Sequence, residues 1–159
     1  MLSNDRLIEL FTHPDRAVRT KAARVLADAH DPSPATAGDI IKAIERFPDR
    51  AYPCLWSRLP DFKHDDASIQ WLLHRLHEEL RLDEKGIDSD DLLDRDINVR
   101  ATLEQTLASL DFDQLRRHRH AIAASVTFPE FSARIDRRLS LADHDAETLW
   151  QVFNTWANK

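Results

Sequence analysis

Glycine occurs twice in this chain, at Gly38 and Gly86, and cysteine once, at Cys54. Tight hairpins need residues at φ > 0, and two glycines leave little material for them. The apolar residues do not alternate at period two either, so a sheet is excluded as the organising element. A lone cysteine rules out an internal disulfide and any multi-cysteine metal site, which fits a reducing compartment and makes the cytoplasm the expected location. No apolar run approaches about 18 residues, and MLSNDRLIELFTHPD lacks a basic segment followed by an apolar one, so neither a membrane span nor an export signal is expected. Positive charge is also short. Lys and Arg number 22 against 28 Asp and Glu, a net charge of −6 that weakens attraction to phosphate backbones and anionic lipid. No catalytic motif occurs.

What is present reads as helix. An apolar fraction of 42% with 31% charged residues belongs to a folded globular protein, and 159 residues suit one domain, 1–159, with a real core. In NDRLIELF, Leu7, Ile8 and Phe11 form one helical stripe with Ser3 as cap. The next helix starts at Pro14 and Asp15 and carries Val18, Ala22, Val25, Leu26 and Ala29 down one face. A third has Ser33 as cap, Pro34 at its first position, and Ile40, Ile41, Ile44 and Phe47 as its stripe. Pro48 ends it and opens a fourth through Tyr52, Leu55, Trp56 and Leu59. Ile69, Trp71, Leu72, Leu73, Leu76 and Leu80 give a fifth helix a wide apolar face, expected to be central.

RLDEKGIDSDDLLDRD, residues 81–96, holds Gly86, seven carboxylates and three basic residues, and is expected to form an exposed acidic loop. Beyond it, Val99, Leu103, Leu107 and Leu110 mark one helix, and Phe112, Leu115, Ile122 and Ala123 another after Asp111. Thr127 and Glu130 have capping-box spacing, with Val126 and Phe131 as the staple, so a helix through Ile135 and Leu139 should start there. Asp143 caps a last helix whose Leu149, Val152, Phe153 and Trp156 share a face that the Ile135/Leu139 helix should cover, with Trp150 about 100° off that stripe.

Pro-Asp-Arg-Ala stands at 14–17 and again at 48–51, and the Asp-x-x-Val-Arg run of 15–19 returns at 96–100. Self-similarity at a period of a few tens of residues marks stacked supersecondary units. The run Pro14, Asp15, Val18, Arg19, Ala22, Ala23 and Leu26 resembles the second helix of a HEAT repeat. The resemblance is good over 4–30, fair over 94–110 and weak elsewhere, and the middle unit departs from it at Tyr52-Pro53, where Val-Arg would stand. It implies an all-α fold, an α-α superhelix of about eight to nine helices in antiparallel pairs, irregularly repeated. It also implies that Asp15, Arg19, Asp96 and Arg100 are structural ladder residues, the aspartates near helix starts and the arginines bonding toward a neighbouring repeat.

Candidate chemistry is sparse. His74 and His77 lie one turn apart beside Glu78, yet no third ligand is identifiable, and the acidic stretch lacks a D-x-[DN]-x-[DN]-G loop, so no metal and no cofactor are expected. QLRRHRHAIAAS groups Arg116, Arg117 and Arg119, and Arg134, Arg137 and Arg138 follow one helix later. On neighbouring helices these six would line one surface, the one feature that argues for a phosphate-bearing partner. Some alkylpurine DNA glycosylases are HEAT-like, with a basic, Trp-lined face and a catalytic aspartate. Net acidity and the lack of a carboxylate in an aromatic cleft argue against that reading, and neutralisation of the 83–96 carboxylates is the plainer role. Trp56 and Trp71 fall within apolar stripes and belong to the core, whereas Trp150 and Trp156 sit on the last helix with nothing after them to cover them. The expected function is therefore a non-enzymatic scaffold that binds a protein partner. The C-terminal helix is its candidate surface for that partner, for a second copy, or for further repeats of a longer chain.

Overall fold

Helix starts in this chain are written in side-chain oxygens. Ser3, Asp15, Ser33, Asn98 and Asp111 each stand at an N-cap and accept a hydrogen bond from a backbone N–H of the turn that follows. The structure, a computed structural model, describes residues 2–47, 53–84, 98–142 and 146–158. Among these there is no strand, and ten α-helices: α1 (Asn4–Glu9), α2 (Arg16–Ala27), α3 (Pro34–Arg46), α4 (Pro53–Trp56), α5 (Asp66–Glu84), α6 (Val99–Ala108), α7 (Phe112–Arg117), α8 (Arg119–Ser125), α9 (Pro129–Ala142) and α10 (Ala146–Ala157). Two 3-10 turns, Leu10–Thr12 and Leu59–Asp61, extend α1 and follow α4.

Several boundaries differ from the sequence expectation for identifiable reasons. Pro14 precedes α2, and Asp15 is its cap, with Oδ1 accepting from the Ala17 N–H at 2.9 Å. The buried face of α2 is Ala22, Ala23, Leu26 and Ala27, so Val25, one step of about 100° from Leu26, is left 48% exposed. The fourth helix is a single turn, and α5 runs on to Glu84, so the acidic loop does not begin at 81. Pro48, Tyr52, Asp96 and Asp143 lie outside the described residues, as does the acidic stretch from 85 onward. The helix expected from Phe112 to Ala123 divides at His118, whose backbone sits at φ −105°, ψ 15°.

Packing joins near neighbours along the chain and also elements further apart. α1 touches α2 and α3; α3 touches α4 and α5; α2 touches α4; α6 touches α5, the Leu59–Asp61 turn and α9; α7 touches α8 and α9, and α8 touches α5. One core connects them. Phe11, Leu26, Ile40, Leu55, Trp56 and Leu59 fill its N-terminal part, and Ile69, Leu72, Leu76, Leu103, Leu107 and Leu115 its C-terminal part, all fully buried. Trp56 is shut in by Trp71, 6.1 Å away between ring centroids, and by the Arg75 guanidinium at 5.6 Å. Among the described residues no helix is long and apolar enough to cross a membrane.

Candidate functional site

The arginines are distributed over several surfaces. Arg117 leaves α7 for Asp66 at the start of α5, at 3.1 Å, and His118 reaches the same carboxylate at 3.3 Å. The His118 bond first, and then the Arg117 charge, hold Asp66 below the usual carboxylate range. Arg138 turns inward: its Nη1 donates to the Ala108 carbonyl at the end of α6 at 2.6 Å, and its guanidinium lies 5.1 Å from the Phe112 ring centroid. Burial first, and then the neighbouring charge of Arg134, push Arg138 below the ordinary guanidinium value, with Asp111 pulling the other way. Arg134, Arg137 and Arg116 are exposed, while Arg119 is half-buried in a cleft between α8 and α9. The structure thus sets Arg134 beside Arg138 and sends Arg117 to α5.

Of the four residues expected to form a ladder, Asp15, Arg19 and Arg100 are described, and each lies at or within the first turn of its helix. Arg19 Nη1 donates to the His13 and Pro14 carbonyls, at 2.8 and 3.0 Å, so these bonds run back to the connection that precedes its own helix. Arg100 reaches much further along the chain, to Thr127 Oγ1, and packs 5.0 Å from the Phe128 ring centroid. One turn on from Arg100 stands Glu104, fully buried, which the sequence reading did not single out. Its carboxylate accepts from the Thr127 N–H, the Thr127 hydroxyl and the Phe128 N–H. The expected Thr127/Glu130 box is therefore replaced by an acceptor from α6, and α9 starts at Pro129, whose missing N–H needs no partner there. The only sequence signal for this role was a carboxylate one position after Leu103 on an otherwise apolar stripe.

His64 is a second buried polar group that sequence reading passed over. Its Nε2–H donates to the Leu59 carbonyl at 2.7 Å, which leaves Nδ1 to accept from the Ser68 hydroxyl at 2.5 Å. Burial lowers its pKa, against the pull of the Leu59 bond and Asp65. It lines a polar cleft of about 530 Å³ with Asp111, Gln114 and Arg138. The polar groups there are already matched to one another: Asp111 and Gln114 form the capping box of α7, and the Gln114 amide donates to the His64 carbonyl. His74 meets Glu78 at 3.4 Å, and among the described residues no three His, Cys, Asp or Glu side chains group as metal ligands would.

Among the described residues, three of the six exposed large apolar side chains lie on α10. Trp150, Phe153 and Trp156 are 66%, 51% and 56% exposed, and every described side chain from Trp150 to Asn158 is exposed except the half-buried Val152. The expectation that the Ile135/Leu139 helix covers Phe153 and Trp156 is thus corrected. Spaced by three, the rings follow one another at steps of about 60° and make a band about 120° wide, with Gln151 and Thr155 on the other side and Asn154 flanking Trp150. Phe153 and Trp156 meet edge to face with centroids 5.6 Å apart. Comparison of this chain with family models, with curated proteins and with solved structures finds no match.

Proposed function

We propose that this chain is a non-enzymatic, HEAT-like helical-repeat scaffold that binds a protein partner through α10. The stacking is supported by the order of contacts: α1, α3 and α5 adjoin in succession, and so do α2 and α4, as in two layers of paired helices. The observation that carries the binding role is the exposed Trp150, Phe153 and Trp156 band. Monomeric proteins rarely leave such an aromatic patch open, and Trp is among the residues on which interface energy concentrates. No charged side chain occurs from 148 to 158, so a phosphate-bearing partner finds no counter-charge there. Arg117 and Arg138 already serve Asp66 and the Ala108 carbonyl, which favours a protein partner over nucleic acid.

The test compares the full chain with Trp150→Gln and Trp156→Gln as bait in native cell extract. The expected result is a partner captured by the wild type and lost from either variant at an unchanged melting temperature. A lowered melting temperature in both variants would return α10 to the core. Retention on DNA that weakens steeply with salt and is lost in Arg134→Ala/Arg137→Ala would instead support the glycosylase-like alternative.

A further inference from the structure

The polar cleft of about 530 Å³ beside His64 is lined from the connection before α5, the end of α6, the start of α7 and, through Arg138, from α9. Most of its polar groups are matched to one another. His64 uses both ring nitrogens, on the Leu59 carbonyl and the Ser68 hydroxyl, and the Gln114 amide serves the His64 carbonyl and the Asp111 N–H. The Thr106 and Ser109 hydroxyls donate to the Thr102 and Gln105 carbonyls. Asp111 is the one carboxylate among the described lining residues, and its Oδ1 already accepts from the Gln114 N–H at 2.8 Å. Arg138 and Lys63 stand outside that match. A guanidinium carries five N–H donors, and Arg138 makes one bond, from Nη1 to the Ala108 carbonyl. Lys63 has its backbone N–H on the Pro32 carbonyl at 2.7 Å, while its exposed side chain makes no bond among the described residues. Neither cation has a carboxylate within ion-pair distance among the described residues. The capacity left over in the cleft is therefore positive and donating.

We infer that this cleft binds a small oxyanion, a single carboxylate or phosphate group on a compact molecule, held between the Arg138 guanidinium and the Lys63 ammonium. A planar fork of N–H donors matches two oxygens of either group, which a second cation then neutralises. The fork is set in advance: the Ala108 carbonyl holds one arm and the Phe112 ring, 5.1 Å from the guanidinium, lies against it, so little freedom is lost when an anion arrives. Charge points the same way. Against the single carboxylate of Asp111 stand Lys63 and Arg138, with Arg134 one turn earlier on α9 adding its own positive field. Burial and that like charge already disfavour the Arg138 cation, and an oxyanion supplies the counter-charge it lacks. A metal ion finds no such welcome, with one carboxylate already engaged and no grouping of ligands among the described residues. A nucleic-acid strand needs a row of cations along a surface, whereas two that converge on one cleft of this volume suit a small molecule. The site lies apart from α10 and stands or falls independently of the docking face.

Titration of the full chain with sodium phosphate and, separately, with sodium acetate tests this, with chloride keeping the ionic strength constant and the NMR signals of the Gln114 side-chain amide and the Ser109 amide as the readout. Phosphate stabilises proteins by exclusion without binding them, so a saturable local shift is the criterion and a raised melting temperature is not. The expected result is saturation with a dissociation constant on the order of 1 mM, raised about 10-fold or more by Lys63→Gln and abolished by Lys63→Glu, both at unchanged melting temperature because Lys63 is exposed. Arg134→Gln, outside the cleft, should raise it less than about 3-fold. Arg138→Lys keeps the charge and loses the fork, and should weaken binding as Lys63→Gln does. Saturation by either probe supports the site, and the tighter of the two identifies the class of oxyanion. Shifts that grow linearly with both probes, or a dissociation constant that Lys63→Gln leaves unchanged, overturn it.

Discussion

At the scale of single residues, two buried polar groups govern how this protein responds to its surroundings. His64 is held neutral by burial, with its folded pKa below the ordinary imidazole value of about 6.5. Below that pH the unfolded chain takes up a proton that the buried ring refuses. The His64 contribution is therefore complete above about pH 6.5 and is lost as pH falls from there through the lower folded value. Melting curves from pH 7 to pH 5 should accordingly fall more steeply for the wild type than for His64→Gln, and equal slopes would reject this account. Glu104 is a second case. Removing it leaves the Thr127 and Phe128 N–H groups without their acceptor, so Glu104→Ala should cost about 2–4 kcal/mol and Arg100→Ala about 1–3 kcal/mol. Because both act through Thr127, the double variant should lose less than the sum, which a denaturant double-mutant cycle measures. Neither role was legible in the sequence. A buried carboxylate looks like any other helix Glu until the helix that it caps, more than twenty positions on, is brought beside it.

At the scale of helices, what could be read was what local chemistry decides. The caps at Ser3 and Ser33, the first-turn Pro34, and the stripes of α3 and α6 all follow from side chains within a turn or two of one another. What escaped was decided across space. The break at His118 coincides with a side chain drawn to Asp66, and α9 starts where Glu104 meets it, one residue after the start that a Thr127 cap suggested. The tryptophans divide the same way: Trp56 is core as its stripe predicts, whereas the neighbour expected for Phe153 and Trp156 is absent from them. Around the exposed Trp150, Phe153 and Trp156, α10 gains little from tertiary packing, and a helix of twelve residues without such support is marginal in water. Amide exchange in dilute solution should open α10 at a far lower free energy than Leu72 or Leu76 in α5. Equal protection of α5 and α10 in dilute solution would count against an undocked helix.

At the scale of the molecule, one hydrophobic core links Leu7 in α1 to Leu139 in α9, so the body should unfold as a unit. In a Trp150→Gln/Trp156→Gln chain, fluorescence reports Trp56 and Trp71 alone, and its thermal transition should coincide with the loss of far-UV helix signal from the body. Separate midpoints would mean two independent cores. All-helical character was legible from the scarcity of glycine and from the periodicity, while the order of stacking was not, because a stripe says that a helix is covered without saying by which neighbour. That order has a consequence for how the protein comes into being. Helices such as α1, α2 and α3 pack on partners close along the chain, a local topology that belongs with fast folding, while the contacts of α6 with the Leu59–Asp61 turn and of α8 with α5 wait for later residues to arrive. The part built on Phe11, Leu26, Ile40 and Trp56 has its partners in place once α5, which brings Trp71 and Arg75 onto Trp56, has left the ribosome. Synthesis can then lay down the following helices one upon another, and α10, the last of the described helices, is the one whose rings still wait for a surface to meet.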